Sequence, residues 1–323
     1  MSFHLPAQID PRHCIITKQY AIYTPPMDEM ISQIGDWIDQ QRPGGYIYGA
    51  SRLGKSKGIR WYLRKILEER FENVLPLVIW NRRPDSQKSE AGFWHQILLA
   101  SGFEFANPAK PPKTCEANYL CRQRLTAIAR TASRNYVVLL IDEAQDISYV
   151  EWKWLVGMQN ALDEDGILLS VFSVGSHQLG YRHEYLASTG NAHVAARFLV
   201  AHARFHGIRA IDELEYVLIG YDADSEWPRG SGRSFLEYFA PTYYAAGARL
   251  KECAPLLWKA MVELSPVDKI EYPMQHIART IEAVLLEIAK GATWDEATKY
   301  ENWLDHLGRT NFSDHMRIIA TAG

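Results

Sequence analysis

The run of residues 49–56 constrains the fold more than any other part of this chain. It reads Gly-Ala-Ser-Arg-Leu-Gly-Lys-Ser and fits the whole G-x-x-x-x-G-K-[ST] pattern of a phosphate-binding loop. The glycines let the backbone curl so that successive N–H groups point inward at phosphate oxygens. An apolar strand pattern at residues 46–48 precedes the loop, and an amphipathic helical pattern follows it. A chance match in a glycine-rich turn would lack that context, so we predict a nucleoside triphosphate site.

Two side chains of this loop supply the chemistry that the pattern implies. Lys55 provides a mobile cation for the β- and γ-phosphates, and Ser56 offers a hydroxyl to Mg²⁺. The helix that begins at the loop adds about half a positive charge at its N-terminus. The predicted phosphate contacts are the loop residues Gly49, Ala50, Ser51, Arg52, Leu53, Gly54, Lys55 and Ser56.

A second motif places two acids at the end of an apolar run. Residues 137–143 read Val-Val-Leu-Leu-Ile-Asp-Glu. In a phosphate-loop fold, Asp142 would hold Mg²⁺ directly or through water, and Glu143 would orient or activate the attacking water. Core strands often end in solvated acids, but the pairing with the glycine loop favours a nucleotide site. A glutamate at this position indicates hydrolysis rather than nucleotide binding alone.

Strand and helix patterns alternate along the first two thirds of the chain. Apolar runs predict strands at residues 46–48, 75–80, 136–141, 166–174 and 204–208, with helical periodicity between them. This alternation predicts an α/β fold whose five-stranded parallel sheet is covered by helices. After about residue 224 the pattern is helical only, at residues 235–246, 250–264, 271–290 and 294–307. We therefore predict an N-terminal arm at residues 1–24, a core domain at 25–222, and a helical lid with C-terminal helices at 233–323.

Composition limits the cellular context. The 323 residues carry a net charge of −3, which does not indicate nucleic-acid binding overall but permits a local basic face. The four cysteines have no C-x-x-C spacing and are interpreted as free thiols in a reducing compartment. The N-terminus lacks the layout of a signal peptide, and no apolar run approaches the roughly 18 residues of a membrane span. We expect a cytoplasmic protein without a membrane partner.

Both motifs, with the helical tail, resemble those of the AAA+ ATPases. The sequence Leu-Ile-Asp-Glu-Ala-Gln at residues 140–145 looks most like that of the TnsC/TniB family of transposition regulators, which transposons encode. The similarity covers roughly residues 27–264. This resemblance implies an AAA+ core with a small helical lid, hydrolysis of ATP with Mg²⁺, and assembly of a homo-oligomer, a ring or a helical filament, on double-stranded DNA.

The resemblance also suggests residues that respond to the γ-phosphate. Residues 168–176 are similar to the fourth strand of the family and its polar end, where Ser176 would contact the γ-phosphate or the water. Ser173 and Gln178 are alternatives, and so is a merely polar exit from the strand. Arg249, in Gly-Ala-Arg-Leu at residues 247–250, resembles the arginine that reaches back to the nucleotide from the lid. An arginine on a helix surface is the alternative reading there.

A further arginine would act between subunits. Ala-Arg-Phe at residues 196–198 resembles the position of the family's arginine finger, which makes Arg197 the candidate. A guanidinium from a neighbouring subunit would neutralise charge that develops on the γ-phosphate. Arg204 is the competing candidate, and either residue could instead be a surface arginine.

With a net charge of −3, DNA binding requires a segregated basic surface. In the family, DNA touches loops between the second and third strands, and the basic clusters of this chain lie in that interval. Contacts there would go to phosphates, with strong salt dependence and little sequence preference. The alternatives are a solvated helix face or subunit salt bridges. The main candidates are Arg82, Arg83, Lys110, Lys113 and Arg122, with Lys88, Arg124, Arg130 and Arg134 nearby.

The family resemblance implies a regulator that couples target selection to transposase recruitment. Its partners would be transposase subunits and a TniQ-type targeting adaptor, which in some systems rides on an RNA-guided CRISPR complex, and ATP hydrolysis would drive disassembly. The alternatives are an AAA+ ATPase of secretion or replication loading, or a metabolic kinase with a phosphate loop. A kinase would need a lid and an acceptor site, whereas the acid pair Asp142-Glu143 and the helical tail favour an ATPase.

Overall fold

Five parallel strands form the sheet that the alternating pattern predicts. The computed structural model describes residues 5–72, 75–82, 89–107, 110, 112–131, 135–181, 185, 191–267 and 271–322. The order of the strands in the sheet is β2-β3-β4-β1-β5, and every pairing is parallel. The strands are β1 (Gly44–Tyr48), β2 (Leu77–Asn81), β3 (Tyr136–Asp142), β4 (Leu168–Gly175) and β5 (His202–Arg204). The predicted α/β class and parallel sheet are confirmed.

Helices connect these strands, because parallel neighbours need a crossover rather than a hairpin. The helix that follows the phosphate loop contains one π-helical turn, a feature that is frequent at functional sites. In chain order the segments are α1 (Cys14–Thr17), α2 (Pro25–Asp39), α3 (Lys55–Gly58), the π turn (Ile59–Leu63), α4 (Arg64–Arg70), α5 (Glu90–Ala100), α6 (Thr114–Thr131), α7 (Tyr149–Glu164) and α8 (Ala192–Phe198).

The sheet is buried on both faces. Every residue of β3 is buried, as expected for a central strand of a parallel sheet. Leu139 and Ile141 belong to a core cluster that also contains residues of α5, α6 and α7. Phe172 of β4 instead meets Trp37 of α2, with ring centroids 5.6 Å apart. Alternate side chains of each strand therefore bury opposite faces, which explains the continuous apolar runs in the sequence.

The chain divides into two compact units. The sheet unit comprises Glu29–Gly49 and Tyr62–Phe205, and the helical unit comprises Met1–Asp28, Ala50–Trp61 and His206–Gly323. The limits of these two units do not coincide with the predicted domain boundaries at residues 24, 222 and 233. Those boundaries stay predictions. The later helices are α9 (Ile211–Asp222), α10 (Phe235–Phe239), α11 (Pro241–Ala245), α12 (Ala254–Leu264), α13 (Met274–Ala289), α14 (Trp294–Ala297), α15 (Tyr300–Gly308) and α16 (Phe312–Ala322).

The N-terminal segment is an integral part of the helical unit. Tyr20 Oη donates to Glu282 Oε1 at 2.6 Å and lies 2.8 Å from Tyr221 Oη. Lys18 forms an ion pair with the same carboxylate of Glu282. The ring of His13 packs edge-on against Phe235 and Phe239. Residues far apart in sequence thus build one core here. None of the helices in the described ranges is long and apolar enough to cross a membrane.

Several predicted element boundaries were wrong. The fifth strand was predicted at residues 204–208, but β5 ends at Arg204. The predicted helix at 235–246 is two helices, because Pro241 has no N–H to continue α10 and begins α11 instead. The predicted helix at 294–307 is likewise divided into α14 and α15. The last helix, α16, was not predicted at all.

Candidate nucleotide site

Gly49, the first residue of the phosphate loop, lies at the carboxyl edge of the sheet. Its N–H donates to Gly175 O at 3.2 Å, directly after β1 ends. A Cβ atom added to Gly49 would lie 2.4 Å from Phe205 O, a backbone atom that cannot move aside cheaply. Glycine is therefore required here because the chain passes close to β5, and not because of an unusual φ.

The remainder of the loop belongs to the helical unit. Gly54 has φ 124°, a conformation that favours glycine, and α3 begins at the next residue. Lys55 Nζ donates to Ala50 O at 2.6 Å, so the ammonium group folds back over the loop. Arg52 has φ 64°, and its carbonyl accepts a hydrogen bond from Gln275 N at 3.3 Å. The loop is thus held to the start of α13 through its own backbone.

The start of the helix behind the loop is tied to the N-terminal segment. Lys57 Nζ donates to Lys18 O at 3.0 Å and to Tyr20 O at 2.7 Å. Burial lowers the pKa of Lys57. Arg60 Nη2 donates to Gln19 Oε1 at 3.2 Å. These contacts fix α3 within the helical unit, and no local sequence pattern predicts them, since they join segments about forty residues apart.

The acidic pair ends β3 as predicted. Asp142 is buried, and its Oδ1 accepts the N–H of Glu143 at 3.0 Å. Glu143 has φ 58°, so the chain leaves the strand direction at this residue and exposes its side chain. Arg82 N donates to Asp142 O at 3.0 Å and holds the strand end from the side of β2. A buried carboxylate and an exposed one thus stand side by side at the end of β3, and their predicted roles stay predictions.

The end of β4 meets the acidic motif, since β3 and β4 are neighbours in the sheet. Ser176 follows β4, and its N–H donates to Gln145 Oε1 at 3.1 Å. Gln145 Nε2 in turn donates to Glu143 Oε2 at 2.6 Å. Of the alternatives to Ser176, Ser173 is buried and its Oγ meets no partner among the described residues, whereas Gln178 is exposed. The motif alone does not predict these contacts of Gln145, because they depend on how β3 and β4 lie in the sheet.

The two candidate finger arginines lie at different edges of the sheet. Arg197 Nη1 is 3.5 Å from Gln159 Oε1, a long contact. Gln159 donates to the carbonyls of Pro43 and Leu169, which mark the amino ends of β1 and β4. Arg197 therefore lies away from the edge that carries Asp142. Arg204 pairs with Tyr48 in the sheet and lies at the carboxyl edge.

Arg249 is held by its own neighbourhood in the helical unit. It precedes a 3-10 turn, Leu250–Cys253. Its Nη1 donates to Ala248 O at 2.7 Å and to Tyr244 O at 3.0 Å, and the guanidinium lies 4.0 Å from the centroid of the Tyr244 ring. Its predicted role at the nucleotide stays a prediction.

The structure separates the candidate DNA-binding residues into different classes. Arg82 is buried and forms an ion pair with buried Glu151 at 2.7 Å, so its burial contradicts a direct phosphate contact. Arg122 pairs with Asp165 at 2.8 Å on the surface. Lys110 and Lys113 are exposed. Arg83, Lys88 and Arg134 lie outside the described residues, while Arg124 donates to Ser101 O at 2.7 Å and Arg130 is exposed.

Comparison with known proteins identifies the fold. Residues 38–182 match an AAA domain family. The Aeropyrum pernix ORC1 protein, solved in complex with DNA, is similar over 92% of this chain and 68% of its own, at 12% identity and TM-score 0.53. A chain of Drosophila ORC bound to DNA is similar over 93% of this chain and 65% of its own, at 12% identity and TM-score 0.51.

These likenesses are structural. The chain spans about two thirds of the length of both ORC chains, and at 12% identity the similarity shows the fold alone. No curated protein sequence was found to match. The sheet order, the loop after β1 and the helical C-terminal region together establish the AAA+ phosphate-loop fold that the sequence predicted.

Proposed function

We propose that this protein is an ATPase that hydrolyses ATP with Mg²⁺. One observation carries the proposal. Gly49 begins the phosphate loop, and Asp142 and Glu143 end β3, at the same carboxyl edge of one parallel sheet with only β4 between their strands. Ligands bind outside the carboxyl ends of the strands in open α/β sheets.

The residues present suit the ligand. A serine hydroxyl and a buried carboxylate are hard oxygen ligands, which Mg²⁺ prefers alongside phosphate oxygens and water. Lys55 would exchange its contact with Ala50 O for phosphate oxygens, and Ser56 and Asp142 would hold Mg²⁺. Glu143, being exposed beside Asp142, would orient the attacking water.

Two substitutions test this assignment. Lys55→Ala should weaken binding of a fluorescent ATP analogue by a factor of about 100 or more, since it removes the cation on the phosphates. Glu143→Gln should bind the analogue as the wild type does but release phosphate at least about 100-fold more slowly. Lys65→Ala, which removes an exposed lysine of α4, is the control for lost charge. Unchanged turnover in Glu143→Gln would show that Glu143 does not act on the water.

We further propose that the ATPase works as an oligomer on duplex DNA and regulates transposition, as the Asp-Glu-Ala-Gln motif suggests. Arg197 lies away from the edge that carries Asp142, so as an arginine finger it would act on the nucleotide of a neighbouring subunit. Transposase subunits and a TniQ-type adaptor would be its partners. ATP binding would drive assembly, and hydrolysis would drive disassembly.

DNA contacts are assigned to the exposed lysines of the α5–α6 connection. Because Arg82 is buried and Arg122 is paired, Lys110 and Lys113 are the main candidates within the described part of the chain whose charge is accessible. Replacing both with alanine should weaken DNA binding on all sequences alike and reduce the salt slope by about one per contact. Lys65→Ala should change neither. An unchanged slope in the double variant would remove this surface from the proposal.

A replication-loading ATPase is the second candidate, favoured by the shared fold with the two ORC chains that were solved with DNA. The decisive experiment combines the protein with ATP-γ-S and duplex DNA, and adds transposase subunits and a TniQ-type adaptor. Electron microscopy should show an ordered oligomer on DNA that retains the transposase. An ordered oligomer that ignores the transposase would favour the loader, and a lack of any oligomer would exclude both.

A further inference from the structure

We propose that Gln145 is a positioning residue for Glu143. Through the Gln145 amide, the position of the backbone at the end of β4 affects the position of the Glu143 carboxylate. The inference rests on the proposed function, in which Glu143 orients the attacking water. It adds a residue that acts through Glu143 and touches neither the phosphates nor the water. Gln145 lies in a 3-10 turn, Ala144–Asp146, directly after the acidic pair.

The amide of Gln145 bridges two elements with a defined orientation. Nε2 donates to Glu143 Oε2 at 2.6 Å, and Oε1 accepts the backbone N–H of Ser176 at 3.1 Å. A backbone N–H can only donate and a carboxylate can only accept, so these two partners fix which amide atom faces which side. The bond to a charged carboxylate is the stronger kind, and it is the one that restrains Glu143.

Gly175 provides the room for this bridge. A Cβ atom at Gly175 would lie 2.5 Å from Gln145 Oε1 and 2.9 Å from Leu179 Cδ1. Gly175 is not among the residues with positive φ, so the backbone conformation does not require glycine there. Glycine is needed here for space. Because Gly175 has no side chain, the Gln145 amide can approach the N–H of Ser176 at the end of β4. Gly175 and Gln145 are thus a matched pair.

A restraint on the Glu143 side chain bears directly on its proposed role. Glu143 adopts a left-handed backbone conformation and its side chain is exposed, so burial contributes little to holding the carboxylate in place. A group that must orient a water loses rate when it samples several positions. The bridge limits Glu143 to positions compatible with Gln145, and it makes those positions depend on Ser176, the residue predicted to respond to the γ-phosphate.

The central test separates positioning from packing. Gln145→Met keeps the size of the side chain and removes the amide, so it preserves the turn but breaks both hydrogen bonds. We expect kcat for ATP hydrolysis to fall about tenfold while KM stays within about twofold, since one hydrogen bond that orients a reacting group is lost. Gln123→Met makes the same change at an exposed glutamine of α6, and this matched control should behave as wild type.

A double-mutant cycle tests the pairing with Gly175. Gly175→Ala alone should lower kcat by a similar factor, because it displaces the amide. In a Gln145→Ala background the same substitution should have less than about twofold further effect, since the amide is gone and only the contacts with Leu179 Cδ1 and Gln145 N remain. Independent, multiplicative effects of the two substitutions would contradict the pairing and overturn the proposal.

The outcomes distinguish this proposal from the proposed function. A wild-type protein that does not hydrolyse ATP would refute the proposed function, whereas normal turnover in Glu143→Gln would refute the role of Glu143 and with it the bridge. Slow turnover in Glu143→Gln together with wild-type kcat in Gln145→Met would refute only the bridge. If Gln145→Met fails to fold, as judged by its thermal unfolding, Gly175→Ala and Gln145→Ala are measured instead. Wild-type kcat in both of these would likewise refute the bridge.

Discussion

The sheet unit and the helical unit bury charge in different ways. In the sheet unit, Arg82 and Glu151 form an ion pair in which each side chain is only 2% exposed. In the helical unit, the buried carboxylate of Glu282 is met by the exposed cation Lys18 and by the hydroxyl of Tyr20. The first pair joins the residue that follows β2 to α7 across 69 positions of the chain, whereas the second joins the N-terminal segment to α13 across 264.

The difference shows two ways of tolerating a buried acid. A fully desolvated ion pair depends on both members, because removal of either one leaves an uncompensated charge. A carboxylate that is shared between a surface lysine and a hydroxyl keeps one partner when the other is lost. The sheet unit should therefore be more sensitive to single substitutions at its charged pair than the helical unit is at Glu282.

The largest effect is expected at the buried ion pair. Arg82→Met should lower the free energy of unfolding of the sheet unit by about 3–5 kcal/mol, since Glu151 stays buried without its cation. Arg122→Met is the control, because its pair with Asp165 is exposed and should contribute at most about 1 kcal/mol. Hydrogen exchange of β2 and α7 provides the measurement. Equal losses in the two variants would contradict the comparison.

A smaller loss is expected in the helical unit. Tyr20→Phe removes the hydrogen bond to Glu282 and should lower the free energy of unfolding by about 1.5–3 kcal/mol, the usual value for a bond to a charged group. Lys18 remains to neutralise the carboxylate. Tyr23→Phe is the control, since Tyr23 donates to Asp28 at an exposed site. Hydrogen exchange in α13 should measure the difference in stability between Tyr20→Phe and Tyr23→Phe. A loss in Tyr20→Phe larger than that in Arg82→Met would contradict the proposed ranking of the two units.

The pH dependence should also differ between the units. Burial lowers the pKa of His276 to about 4, with nearby His315, Arg279 and Arg52 acting in the same direction. In the unfolded chain His276 therefore takes up a proton near pH 6.5, whereas in the folded unit it stays neutral until the pH falls to about 4. Stability of the helical unit should fall as pH drops from about 6.5 towards 4. His276→Gln should flatten that fall in a series of thermal unfolding measurements, and an unchanged slope would show that His276 does not cause it.

The smallest effect is expected in the loop itself. Arg52 adopts φ 64° without being glycine, and left-handed backbone costs about 1–2 kcal/mol in other residues. Arg52→Gly should therefore be more stable than Arg52→Ala by about 1 kcal/mol, since both lose the side chain but only alanine retains the Cβ penalty. Chemical denaturation of the two variants measures this difference. Equal stability would mean that the loop relaxes elsewhere.

Local patterns in the sequence determined the sheet and the motif positions. The apolar run of β3 and the acids at its end were predicted correctly because burial on both faces of a strand requires consecutive apolar residues. The glycine loop was recognisable because both of its glycines are required by the backbone. Gly49 lies too close to the backbone of Phe205 for a side chain, and Gly54 has a positive φ. Both signals are complete within a dozen residues.

Tertiary structure decided everything that depends on distant residues meeting. Arg82 looked like a surface cation in the sequence, and only the packing of α7 revealed Glu151 as its buried partner. The bridge of Gln145 exists because β3 and β4 are neighbours and Gly175 leaves room, which no single motif encodes. The N-terminal segment joined the helical unit for the same reason: a buried carboxylate needs partners, and sequence separation does not limit which residues supply them.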